Sequence, residues 1–391
     1  MILEWVGIWN LILKNKCKGC DNIKGLYIHI PFCKSICSYC DFPKRLGNNK
    51  LFDEYIDKLF LELDSYENEL NNIDTVYIGG GTPNILNLNQ LEKLFSKIKN
   101  ILFKSKENTI ELNPELITND LCKLLNKYNF NRVSLGIEST NDKIIKFLNR
   151  HHKKEDIINS FNYLRKNNIN NINCDLIFGI PNTNINDVKE DLSFILSLNP
   201  THISYYDLII EDRTLLSYLV KNKKIEPLDP DLEADMYDYI NKILKEAGYN
   251  HYEVSNYAKE NFESIHNMIY WTYDDYIGIG MAASSKINNV RHTNQSTIKA
   301  YFEAFCNEYD NLSIENQKTE FMVLGLRMLK GISIKEYERL FKSSPFDDFK
   351  FINKLIDDGL LVLDNNYLRI PENKMFIANV VWREFIWKKM V

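Results

Sequence analysis

Short β-rich runs alternate with stretches of helical periodicity along this 391-residue chain, and few folds accommodate that rhythm. The runs fall at Leu26–Ile30, Thr75–Ile78, Thr109–Leu112, Arg132–Ile137, Ile172–Phe178 and His202–Leu208. Between them, Phe52, Tyr55, Ile56, Leu59, Phe60 and Leu63 recur at the i, i+3, i+4, i+7 spacing that gathers one apolar face on a helix. Leu91, Leu94, Phe95, Ile98 and Leu102 follow the same pattern. Strand exchanged with helix predicts βαβ units and a parallel sheet, an α/β fold. Six such units are fewer than the eight that close a full barrel. Periodicity alone admits both a doubly wound sheet and an incomplete barrel.

The rhythm changes after Asp212. A helix is predicted over Leu232–Ala247, ended by Gly248, then a β-rich Tyr249–Ser255, an aromatic patch at His266–Tyr276 and a turn at Gly278–Gly280. From about Thr297 amphipathic helices are expected at Phe321–Leu329, Ile334–Phe341 and Phe349–Asp357, closed by a hairpin turning at Asp364-Asn365-Asn366. Three helices and a hairpin resemble a winged helix. No basic recognition helix accompanies them, which favours a structural or partner-binding cap. The expected division is a poorly ordered extension over 1–24, a core over 25–296, and a mostly helical domain over 297–391.

Charge excludes one broad class. The chain carries 48 basic and 53 acidic side chains, net −5, which argues against a nucleic-acid binder relying on overall positive charge. Mean hydropathy is −0.32, and no apolar run nears the ~20 residues of a membrane-spanning helix. The apolar stretch Met1–Leu13 lacks the basic start of a signal peptide. A cytoplasmic protein without a transmembrane segment is expected.

Five of the eight cysteines crowd into the first 40 residues, which in a chain this long reads as metal or redox chemistry. Cys17 and Cys20 form a lone C-x2-C, a weak signal. Cys33, Cys37 and Cys40 form C-x3-C-x2-C directly after the first predicted strand. A fully ligated [4Fe–4S] cluster takes four cysteines, so three leave one iron open to a further ligand. A zinc site is the competing reading, with His29 as the available fourth ligand, but the spacing departs from that of common zinc sites. Gly79-Gly80-Gly81 ends the second strand, where missing Cβ atoms let backbone approach a ligand. Glu111, Glu138 and Asp175 end the next three strands, the end at which parallel α/β folds bind ligands.

The cysteine triplet, followed in order by Tyr77–Pro83, Glu111–Glu115, Val133–Ser139, Asp175–Pro181, Tyr252–Ala258 and His266–Trp271, resembles the radical S-adenosylmethionine (SAM) superfamily, and within it the HemN/HemW group. That group comprises oxygen-independent coproporphyrinogen III oxidase and its haem-chaperone paralogue. The resemblance spans about residues 25–370. It implies an incomplete (β/α)6 barrel with a C-terminal helical domain, and a [4Fe–4S] cluster on Cys33, Cys37 and Cys40. It assigns Tyr27, Tyr39, Gly80, Gly81, Thr82, Glu111, Glu138, Arg150 and Asp175 to SAM, with a reducing electron donor as partner. Glu138 is a departure, since the group commonly has Gln there; a carboxylate accepts hydrogen bonds but donates none.

Two further features resemble the HemW branch. The triplet continues as Cys40-Asp41-Phe42, where the oxidase branch carries a cysteine at the last position, and Tyr252-Glu253-Val254-Ser255-Asn256 and His266-Asn267-x-x-Tyr270-Trp271 are present. The resemblance therefore implies a haem-binding chaperone that hands haem to an acceptor protein, with His266 as the candidate axial ligand; a satisfied core histidine among packing aromatics is the alternative for that residue. Ser284 stands where HemW relatives usually have a histidine. Coproporphyrinogen III oxidation and a purely structural metalloprotein are the alternatives.

Overall fold

A computed structural model of the chain describes residues 23–387. Residues 1–22, which hold the Cys17/Cys20 pair and most of the extension expected to be poorly ordered, lie outside the described residues. All six predicted runs are strands: β1 (Ile23–Ile30), β2 (Thr75–Gly80), β3 (Glu107–Leu112), β4 (Arg132–Glu138), β5 (Asn171–Phe178) and β6 (His202–Asp207). Each pairs in parallel with its sequence neighbour. A doubly wound sheet starts in its middle and reverses direction, whereas β1 to β6 are added in order on the same side. The product is an open arc, an incomplete (β/α)6 barrel.

Later strands extend both edges. Past β6 lie β7 (Asn250–Glu253) and β8 (Asn256–Ala258), both antiparallel. Beside β1 lie β9 (Asp275–Ile279), which is parallel to it, then β10 (Ser284–Ile287), β11 (Val290–Asn294) and β12 (Cys306–Asn311). The sheet thus runs past Thr297, where a mostly helical domain was expected to begin. A charged, polar run such as Cys306–Asn311 carries little apolar alternation, and pairing with β11 decides its state.

Of the segment Gly278–Gly280, expected to turn, Gly278 and Ile279 complete β9 and the turn begins at Gly280. Its glycines answer to tertiary crowding: a Cβ on Gly278 would lie 2.1 Å from the backbone oxygen of Ser284, and one on Gly280 (φ +105°) 2.6 Å from the Tyr55 hydroxyl.

Side chains alternate along β1–β6. Leu26, Ile28, Val76, Ile78, Ile110, Val133, Leu135, Ile172, Leu176 and Ile203 are buried on the apolar face, in one core with the crossover helices. The other face carries Tyr27, Tyr77, Glu111, Ser134, Asn173, Asp175, His202 and Ser204, and it lines the inside of the arc.

Among the crossovers, Asn49–Ser65 matches the first predicted amphipathic stretch and Leu88–Lys97 with Lys99–Leu102 the second, and the Pro230–Glu246 helix ends two residues before Gly248, which takes a left-handed conformation (φ +83°). Helices Ile314–Gly325, Ile334–Phe341 and Ile352–Asp357 follow β12, with a three-stranded sheet of Ile332–Ser333, Val362–Asp364 and Tyr367–Arg369. Asn365 and Asn366 both take positive φ at its hairpin turn, as a two-residue turn of this kind requires.

Because the atom facing Gly278 belongs to backbone, Gly278→Ala should destabilise the fold by about 1–3 kcal/mol, read as a lower urea midpoint. An unchanged midpoint would show that the β9–β10 crossing yields freely.

Candidate functional site

The loop between β1 and Arg45 carries the three cysteines and is fastened at both ends. At its stem the Cys33 amide donates to Arg45 O (3.0 Å) and the Arg45 amide to Pro31 O (2.8 Å). His29 adds a third tie: its Nε2 donates to Pro43 O at 2.9 Å, while Nδ1 accepts from the Tyr27 hydroxyl at 2.8 Å. At the tip, the Ser38 amide and hydroxyl donate to Leu148 O and Phe147 O, and Asn149 Nδ2 donates to Ile36 O at 2.8 Å. These bonds seat the loop over the carboxyl ends of the strands.

A cavity of about 550 Å³ opens there. It is lined by Cys33, Cys37 and Cys40 on one wall and by Tyr39, Gly80, Gly81, Thr82, Glu111, Glu138, Arg150 and Asp175 on the others. Fold and loop therefore bring the sequence-expected site residues together, with two exceptions. Tyr27 is off the lining, its hydroxyl spent on His29 and its ring 6.1 Å from that of Tyr77. It steadies the loop from behind.

The second exception is His266. It lies at the opposite end of the arc, 1% exposed, with Nδ1 bonded to the Thr75 hydroxyl (2.7 Å) and Nε2 to the Tyr270 hydroxyl (2.8 Å). Burial, helped by the nearby Arg132 charge, lowers its pKa to about 3. Its helix, Ile265–Trp271, is capped by Glu107, whose carboxylate accepts from the Ile265 and His266 amides, both at 3.0 Å. With both ring nitrogens bonded to hydroxyls, His266 is a floor residue of the arc and has the surroundings of a satisfied core histidine, the alternative to a haem ligand. The spacing of the aromatic patch cannot reveal this, because Thr75 is nearly 200 residues away.

Each cavity carboxylate is differently bound. Glu111 accepts from the Tyr77 hydroxyl (2.7 Å) and the Gly80 amide (2.9 Å), so it shapes the glycine loop directly. Burial outweighs those bonds and raises its pKa to about 7. Glu138, at φ +59°, accepts from the Tyr39 hydroxyl and pairs with Arg150 at 3.2 Å. Burial raises its pKa against that pairing. Asp175 accepts from Ser134 Oγ (2.6 Å) and Asn173 Nδ2 (2.8 Å), and Asn173 Oδ1 in turn accepts from His202 Nδ1 (2.6 Å).

Ser134, Asn173, His202, Tyr77 and the buried Arg132 escaped sequence reasoning. Their signal was the polar half of the two-residue alternation, legible once the strands are aligned.

The donor set fits a [4Fe–4S] cluster with SAM. Three thiols line one wall of a cavity wide enough for a multi-iron group, and Lys44, whose ammonium donates to Cys40 O, moderates the upward push of burial on Cys33 and Cys40. Glu115 Oε2 and Arg150 Nε are buried without a hydrogen-bond partner, and Glu138 Oε2 has only its ion pair with Arg150, an arrangement that a polar, zwitterionic ligand would relieve. The zinc reading loses its fourth ligand, because both His29 nitrogens are already engaged. Among the described residues, no three His, Cys, Asp or Glu side chains are grouped to hold a single metal ion.

Removing one partner of the Glu138–Arg150 pair leaves a buried charge alone, so Arg150→Ala should cost about 3–5 kcal/mol in unfolding experiments, and Arg150→Leu combined with Glu138→Leu should recover much of it. Because the folded pKa of Glu111 exceeds the ordinary value of 4.5, its contribution to stability is complete below about pH 4.5 and is lost as pH rises through about 7. Glu111→Gln, which keeps an acceptor for Gly80, should lack that component when urea midpoints are compared across this range.

Residues 27–195 match the radical SAM superfamily and residues 312–377 match the HemN C-terminal domain. The fold superposes on coproporphyrinogen III oxidase (HemN) from Escherichia coli with a TM-score of 0.82 over 96% of this chain and 92% of that one, at 21% identity. A heme chaperone HemW of Lactococcus lactis is 36% identical over 92% of this chain and 96% of its own length. One from Bacillus subtilis is 31% identical over 93% and 99%. Those full-length identities, on the radical SAM scaffold and with its three cysteines gathered at one cavity, make the chain a member of the HemW family of radical SAM proteins.

Proposed function

We propose that this chain is a haem chaperone that holds a [4Fe–4S] cluster and SAM and carries haem as its cargo. The observation that carries this reading is the end-to-end likeness to proteins named heme chaperone HemW. The site supports it in detail. Phe42, exposed at the cavity mouth, occupies the place where the oxidase branch would carry a further cysteine.

Cys33, Cys37 and Cys40 would hold the cluster, leaving one iron without a protein ligand. Gly80, Gly81 and Thr82 present backbone to the same space, and Arg150 Nε, without a partner, and Glu138 Oε2, paired only with Arg150, offer the donor and acceptor that SAM's carboxylate and amino groups require. When bound, cluster and SAM supply one-electron chemistry, which belongs to the cofactors. This chain's own work is positional. Glu111 fixes the glycine loop, Asp175 is held by Ser134 and Asn173, and the floor around His266 keeps water from the arc's inner end.

A reducing electron donor, a haem-accepting protein and a cytoplasmic setting complete the proposal. Among the described residues no helix is long and apolar enough to cross a membrane.

Anaerobic reconstitution of the full chain, followed by haem titration and an assay on coproporphyrinogen III in the same preparation, tests the reading. Stoichiometric haem uptake with no protoporphyrinogen above a Cys33→Ala background is expected. Turnover above that background, or no haem uptake, would overturn it.

A further inference from the structure

A chaperone must offer its cargo a site from which it can leave, and the cavity mouth has the chemistry for one. Phe42 (62% exposed) and Ile209 (67% exposed) stand on its lining, and Ile177 and Leu208 continue the apolar surface inward. Isolated exposed apolar residues are ordinary, but these line one concave cavity. The same lining carries an imidazole. His151 lines the same cavity and is exposed, and it follows the Phe147–Asn149 segment that Ser38 and Asn149 bind to the cysteine loop.

The other six histidines are committed elsewhere. His29, His202 and His266 use both ring nitrogens within the protein. His292 bonds to Tyr66, while His152 and His251 each bond to a backbone carbonyl and keep the second nitrogen buried. Of the seven histidines in the sequence, His151 is the one placed on the cavity wall.

We infer that haem binds at this mouth, its flat face against Phe42 and Ile209 and its iron ligated by His151. Imidazole is a common axial ligand, and the apolar wall takes the macrocycle out of water. The inference rests on the haem-cargo reading and adds the place and the ligand.

Ferric haem titrated into the reconstituted full chain tests it. His151→Gly should weaken binding by about tenfold or more and shift the Soret maximum, and added imidazole should restore the wild-type spectrum. Phe42→Asp with Ile209→Asp should weaken binding while leaving the Soret maximum in place. Wild-type affinity and spectrum in His151→Gly would overturn the ligand assignment alone. Undiminished binding in the Phe42/Ile209 variant would overturn the placement. A wild-type chain that takes up no haem would overturn the cargo reading and this inference with it.

Discussion

The two-residue period of β1–β6 imposes a division of labour on the whole core. One face buries Ile, Val and Leu against the helices. The other must dispose of phenols, carboxylates, an amide, a guanidinium and imidazoles in a space largely shut to water, and each such group is costly unless partnered. The solutions interlock. Tyr77 satisfies Glu111, Glu111 holds Gly80, Ser134 and Asn173 share Asp175, and His202 closes on Asn173. A full (β/α)8 barrel fills its centre with packed apolar side chains. This arc has a polar interior instead, and polarity is what lets a small charged ligand be received there.

The cysteine loop depends on that interior as much as on its own sequence. His29 sits on β1, takes a hydrogen bond from Tyr27 below and gives one to Pro43 above, so strand and loop share a single rigid tie. Gly80 must lack a Cβ partly because the same ring is packed against it, 2.3 Å from where that atom would lie. Cluster loop and glycine loop are therefore registered to each other through one imidazole.

Much of this was legible beforehand. Strand positions, the cysteine triplet and the ligand-facing strand ends follow from local pattern, which short-range physics writes directly into sequence. The misreadings share a different origin. Gly278 was read as a turn residue because glycine's commonest use is conformational, whereas here it clears room for the Ser284 carbonyl. For His266 the sequence leaves a haem ligand and a core histidine equally open, because a histidine among aromatics fits both. Its role is fixed by Thr75 and Glu107, both remote in sequence. Strand β12 has no apolar rhythm of its own and exists through its neighbour β11. Partners distant along the chain leave no local trace.

The helix Ile265–Trp271, seated across the starts of β2 and β3, gives the arc a base. A vessel sealed below is filled and emptied over its lip. Whatever occupies the depth beneath the cysteines must arrive before anything settles across the opening, and must wait for that upper guest to depart before it can be exchanged. Sequence of loading is thereby written into shape, and no moving gate is needed to enforce it.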